Sequence, residues 1–238
     1  MSFRHSVYIV ASPRPRVGKT LLSRLLIDYH RHEGRTAQAF DLNRDDHALA
    51  QFAPDDAIIA DIGSVQGQMA LFDRLVGEEG GGKVVDVGSE SFQNFFDVAY
   101  RIGFVEEARK RAIAPVILFI ISSDKLAAEA YRSLRARFSG AAMTPVHNEM
   151  LGPVQHRDRF PPTGRGGAIL RIPALAPGLR KFIETPPFGF SDEHLANARN
   201  IPLDAHIELQ RWLRKSYLEL RELDLRVLLG ELQSSLRL

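Results

Sequence analysis

A strand-like run, Ser6-Val7-Tyr8-Ile9-Val10-Ala11, passes through Pro13-Arg14-Pro15-Arg16-Val17-Gly18-Lys19-Thr20 straight into a helical pattern carried by Leu21, Leu22, Leu25, Leu26 and Tyr29. No other segment restricts the fold as much. A strand that turns at once into a helix must be followed by a crossover, so its sheet partners run parallel to it and helices cover the faces. The same turn aims free backbone N–H groups and the positive end of a helix dipole at one point, which suits a bound phosphate. In that reading Lys19 reaches the β- and γ-phosphates and the Thr20 hydroxyl ligates magnesium, while Pro15, Arg16, Val17, Gly18 and Leu21 complete the cradle. A plain strand–turn–helix with an exposed lysine is the alternative.

The loop departs from the common pattern in ways that matter chemically. Glycine usually stands five residues before Gly18, where this chain has Pro13. Pro15 has no N–H to offer a phosphate, and Arg16 occupies a position where glycine is often needed. Fewer backbone donors weaken the cradle unless Arg14 and Arg16 supply charge in their place.

Beyond this unit, short apolar runs alternate with longer helical stretches. Strands are expected at Ser6–Ser12, Thr36–Leu42, Lys83–Val87, Ala114–Ser122, Ala142–Val146 and Ala168–Pro173, with Ala57–Ile62 as a short strand or a buried turn. Thr20–His32, Val65–Glu78, Phe92–Arg111 and Leu126–Phe138 read as crossover helices. The expected fold is therefore α/β, in three layers of the P-loop NTPase kind, with a mostly parallel central sheet and helices on both faces. Gly80-Gly81-Gly82 precedes a strand and so reads as a turn, and Val154–Gly167, rich in proline, glycine and arginine, reads as a mobile surface loop. Leu203–Leu229 is a long amphipathic helix with Ile207, Leu213, Tyr217, Leu220 and Val227 at near-helical spacing. Either it docks on the chain's own sheet or it receives a partner. With 45% hydrophobic residues in 238, one core suffices, so residues 1–238 read as a single domain with 203–238 as a helical extension.

Charge and cysteine usage exclude several classes. Thirty-one basic against 29 acidic side chains leave a net charge of +2, so DNA contact is possible but not indicated by charge. There are no cysteines, which removes disulfides, thiolate metal sites and a cysteine nucleophile. The eight histidines show no metal-ligand spacing. With no apolar run long enough for a membrane span and no signal-peptide pattern, a cytoplasmic location is expected.

Ligands collect at strand ends in such a sheet. Val84-Val85-Asp86-Val87-Gly88 has an apolar-then-acid form that places Asp86 near magnesium, with Gly88 letting the next loop sense the γ-phosphate; Asp86 as a helix cap is the alternative. The second strand ends Asp41-Leu42-Asn43-Arg44-Asp45-Asp46, either a functional turn or a solvated acidic one. Asn148 offers the donor and acceptor that a purine edge requires, or is an ordinary turn residue. A guanine-reading Asn-Lys-x-Asp is absent, which points to ATP.

The loop resembles the deviant P-loop of the ParA/MinD group, in which Lys-Gly-Gly-x-Gly-Lys-Thr carries an extra signature lysine; counted back from Gly18, that position is Arg14. The resemblance implies an Mg-ATP-dependent switch whose Arg14 acts in trans within a nucleotide-dependent homodimer. It also sets Asp41 with Thr20 and Asp86 around the metal. The group's Asp-x-Asp-Pro pattern has Asn43 at its second aspartate, and an amide can orient the attacking water but cannot take its proton, so hydrolysis should be slow. Asp45 or Asp46 could substitute through a shifted loop. Asp86-x-Gly88-x-x-Ser91-Phe92, Asn148 with Gly152-Pro153, and Ile172-Pro173-Ala174-Leu175 are similar to TraL-type conjugal transfer proteins. That likeness implies a weak or partner-stimulated ATPase in DNA transfer, plasmid partition or the positioning of an assembly, working with a protein partner. Two alternatives stand beside it. One is a non-catalytic relative serving as a structural adaptor; the other is a kinase or ligase of the dethiobiotin-synthetase type, whose Lys-Pro after the second strand is missing here.

Overall fold

The computed structural model describes residues 5–77, 81–154, 159–161, 168–190 and 201–235. Seven parallel strands run in the order β3-β2-β4-β1-β5-β6-β7: β1 (His5–Ala11), β2 (Ala37–Asp41), β3 (Ala57–Ile59), β4 (Gly82–Asp86), β5 (Ile113–Ile120), β6 (Ala142–Asn148) and β7 (Leu170–Ile172). The strands read as continuous apolar runs because both faces are covered. Alternation then splits them between two cores. Val7, Ile9 and Ala11 of β1 point with Ile117 and Phe119 into one, while Tyr8 and Val10 point with Val116 and Leu118 into the other.

The first core holds the aromatic cluster Phe72, Phe95, Phe96 and Phe104 from α3 (Val65–Val76), α4 (Phe92–Arg101) and α5 (Phe104–Lys110), joined by Tyr131 from α6 (Lys125–Arg137). The second is built by α1 (Lys19–His32), which buries Leu22, Leu25, Leu26 and Tyr29, with α7 (Pro177–Ile183) and α8 (Leu203–Ser235). A short helix, α2 (Ala48–Phe52), follows β2. Its five residues are too few to show a period, and α7 is likewise short, so neither was legible as a helix.

The expected helix Phe92–Arg111 is two helices. Gly103, at φ 65°, takes the left-handed conformation that ends α4 and caps α5, which glycine adopts without the Cβ penalty. Ala57–Ile62 is a three-residue strand followed by a loop in which Asp61 accepts hydrogen bonds from Gly63 N (2.7 Å) and Ser64 Oγ (2.6 Å). Most of the expected 154–167 loop lies outside the described residues.

The long helix extends to Ser235 and packs on the chain itself, against α1 and β7. Leu209, Leu213, Ser216, Leu220, Leu223 and Val227, spaced by three and four, form its buried seam. Polar contacts tie it down. Trp212 Nε1 donates to Pro173 O at 2.8 Å, and Asp224 receives hydrogen bonds from Tyr8, from Tyr29 at 3.0 Å and from Arg35 at 3.0 Å. Among the described residues no helix is long and apolar enough to cross a membrane.

Candidate functional site

Because β1 lies between β4 and β5, the loop that leaves it faces the ends of β4, β2 and β6. Gly18 sits at φ 97° as the N-cap of α1, no side chain caps the helix, and its first turn carries no acid. The helix N-terminus is thus left to an external anion. Arg16 also adopts the left-handed region, at φ 57°, and is exposed; an arginine there bears about 1 kcal/mol of strain that glycine would avoid.

Lys19 is buried, and its ammonium donates to Arg14 O across the loop at 2.8 Å. Burial lowers its pKa, against the pull of Asp86, Glu90 and Asp46. The Arg14 guanidinium lies 2.9 Å from Asp124 Oδ1 at the start of α6. Burial would raise the Asp124 carboxyl, but hydrogen bonds from Arg14, Ser122 and Ala127 N outweigh it and hold the group at about 2.

At the end of β4, Asp86 is fully buried. Its Oδ2 accepts from Thr20 Oγ1 at 2.7 Å and from Asn43 Nδ2 at 3.0 Å, while Oδ1 is buried with no partner among the described residues. Burial pushes this carboxyl up to about 6; the Thr20 and Asn43 hydrogen bonds oppose the rise and the charge of Asp41 adds to it. A buried, unsatisfied carboxylate oxygen beside a threonine hydroxyl fits magnesium. The ion would take Asp86 and Thr20 from the protein. Among the described residues no cluster of three or more histidine, cysteine or acidic side chains is placed for a metal, so phosphate oxygens and water would supply the rest of its shell.

The other sequence-derived candidates converge here with different partners. Asp41 is buried, and both its oxygens are engaged: Oδ1 by Asn43 N (2.9 Å) and Asn43 Nδ2 (2.7 Å), Oδ2 by Ala50 N (2.9 Å). It holds the turn into α2. Asn43, expected beside the attacking water, donates its amide to Asp41 and Asp86 at once and so bridges two buried carboxylates. Asn148, expected at a base edge, donates to Val17 O at 3.1 Å and accepts from Met150 N at 3.1 Å. A Cβ on Gly18 would lie 2.5 Å from Asn148 Nδ2, so the amide closes tightly over the loop. Gly18→Ala is therefore expected to cost about 2 kcal/mol from backbone strain and collision together, read as a lower urea midpoint with unchanged slope.

Pro15, Arg16, Lys19, Thr20, Asn43 and Asn148 all border one cavity of about 730 Å³, which also takes in Leu21, Arg24, Phe52 and Glu90. Sequence reasoning missed the last three. Arg24 occupies a slot of the apolar face of α1, five residues past Lys19, where a charge is unexpected; that mismatch was the available signal. Glu90 follows Gly88 by two residues, and nothing local distinguishes it from a surface glutamate.

No protein-family profile and no curated protein matches the chain. Nineteen solved chains match it in structure. One is the signal recognition particle 54 kDa protein of Aeropyrum pernix K1, solved in complex with GDP, at TM-score 0.42 and 13% identity over 64% of this chain and 37% of that one. The all-parallel sheet, the loop at the end of its central strand and the helix behind that loop give the chain a P-loop-like α/β fold.

Proposed function

We propose that the chain is a nucleotide-dependent switch of the ParA/MinD type, binding Mg-ATP in the cavity above α1. One observation carries this reading. The uncapped N-terminus of α1 presents Lys19 and Thr20 beside Asp86, whose spare oxygen is buried without a partner. The backbone of Val17–Thr20 and the Lys19 ammonium would hold the β- and γ-phosphates, with Lys19 exchanging the Arg14 carbonyl for phosphate oxygen. Thr20 and Asp86 would hold magnesium, which when bound screens phosphate charge. Asn148 keeps the loop closed from behind.

Finer features belong to the same proposal. Residues 1–238 act as one domain. Intrinsic turnover is weak or partner-stimulated, because Asn43 cannot take a proton and its amide is already committed. Arg14 would serve a second copy by exchanging Asp124 for a phosphate across a dimer. The TraL-type likeness suggests work in DNA transfer, partition or assembly positioning, with a protein partner.

A second reading, a structural adaptor that binds no nucleotide, has its own support. Pro13 and Pro15 remove donors from the loop, and the Lys19 ammonium already has a partner in Arg14 O. Calorimetric titration with Mg-ATP, Mg-ADP and Mg-GTP separates the two. Saturable ATP binding that disappears in Lys19→Ala, with the unfolding midpoint within about 1 kcal/mol of the parent, is the expected result. No saturable binding of any of the three removes the switch reading and turns the search to protein partners.

A further inference from the structure

We propose that Glu90 is the general base of this site, an inference that rests on the nucleotide-switch reading. Four carboxylates border the cavity, Asp45, Asp46, Glu184 and Glu90, and one oxygen of Asp46 already accepts from Ala48 N at 3.1 Å. The groups nearest the metal place are committed elsewhere. Asn43 is an amide with its N–H groups spent, Asp41 has both oxygens occupied, and the one spare oxygen of Asp86 is wanted by the metal. Glu90 borders the same cavity, is exposed to it, and contributes to the field felt by the Lys19 ammonium.

Its carboxylate is also aimed. Oε1 accepts from Arg44 N at 2.8 Å, which fixes the group toward the loop after β2. Among the described residues Oε2 meets only the Ser89 hydroxyl, at 3.4 Å, and so retains room for a water. The side chain reaches this position by folding back over Gly88. A Cβ there would lie 2.1 Å from Glu90 Oε1 and 2.7 Å from Cδ, so only glycine at 88 admits the carboxylate. Gly88 thereby acquires a second purpose: it makes room for Glu90 beside the end of β4.

The step balances with water and a nucleoside triphosphate alone. The water oxygen bonds to the γ-phosphorus as one of its protons passes to Glu90 Oε2. The bond from the γ-phosphorus to the bridging oxygen breaks, and its electron pair leaves with the nucleoside diphosphate.

The test measures Mg-ATP affinity by calorimetry and phosphate release under saturating ATP in the parent chain, Glu90→Gln, Gly88→Ala and Asp45→Asn. Glu90→Gln is expected to lower turnover by about 10²–10⁴-fold while ATP affinity stays within about threefold. Gly88→Ala should reproduce the turnover loss by displacing the carboxylate. Turnover of Glu90→Gln within about threefold of the parent overturns the assignment, as does a loss that appears in Asp45→Asn in its place. A parent chain that binds Mg-ATP without hydrolysing it also overturns it, and leaves the binding proposal standing. A parent chain that binds no nucleotide removes both.

Discussion

Asp86→Asn is expected to stabilise the nucleotide-free chain in EDTA at pH 8 by about 1–3 kcal/mol, and to abolish magnesium-dependent nucleotide binding. The fully buried carboxylate accepts two hydrogen bonds on Oδ2 and none on Oδ1, so its charge is poorly compensated until a cation arrives. Its pKa stands at about 6 in the folded chain against an ordinary value near 4. The sign follows directly. Between those values the folded chain binds more protons than the unfolded one, so stability falls as pH rises from about 4 to about 6, and the deficit persists above. An asparagine keeps an acceptor for Thr20 and Asn43 without the charge. Denaturant unfolding at pH 4.5 and pH 8 reads this as a gap between parent and variant that is small at the lower pH and wide at the higher. Equal gaps at both would show that the Asp86 charge is compensated in some other way. Losing metal dependence while gaining stability is the signature of a site that stores strain for its ligand.

Arg24→Ala carries the largest expected loss, about 3–5 kcal/mol. The Arg24 guanidinium donates to Ile183 O at 2.7 Å and to Phe188 O at 2.9 Å, and lies 3.8 Å over the ring of Phe52 and 4.7 Å over that of Phe190. Burial pulls its pKa down to about 9, which leaves it charged at neutral pH, with Asp28 pulling the other way. Truncation would strand two carbonyls and open a hole among the rings of Phe52, Phe188 and Phe190. Arg24→Lys should recover only part of the loss, since an ammonium cannot span both carbonyls in the plane of the rings. Because Arg24 lies on the helix that also bears Lys19 and Thr20, Arg24→Ala should weaken Mg-ATP binding along with stability. A variant with unchanged urea midpoint would mean that solvent replaces every contact the guanidinium makes.

Legibility followed the range over which each feature is decided. The loop from Ala11 to Lys19 was readable because a β-branched run, Gly-Lys-Thr and an amphipathic repeat lie within a few residues of each other. Strand ends were read to within two residues for most of the sheet, since continuous apolar runs mark strands buried on both faces. The break at Gly103 was missed because glycine inside an apolar helical pattern is tolerated at modest cost and does not by itself mark an end; its positive φ is visible only in the structure. The 3.4 Å approach of Ser89 to Glu90, and the folding of Glu90 over Gly88, leave no trace in spacing or composition.

What the sequence determined by itself is the βα unit whose helix begins at Lys19 and Thr20, the parallel sheet it requires, and the acid at the end of β4. Local sterics and short-range periodicity decide those. Only the tertiary structure decided how the site is wired: Asn43 reaches a carboxylate 43 positions away, Asn148 closes on a loop 131 positions away, and Arg24 is held by a carbonyl 159 positions away. Such pairs depend on which strand ends lie side by side, and strand order is settled when the whole chain buries its apolar surface at once.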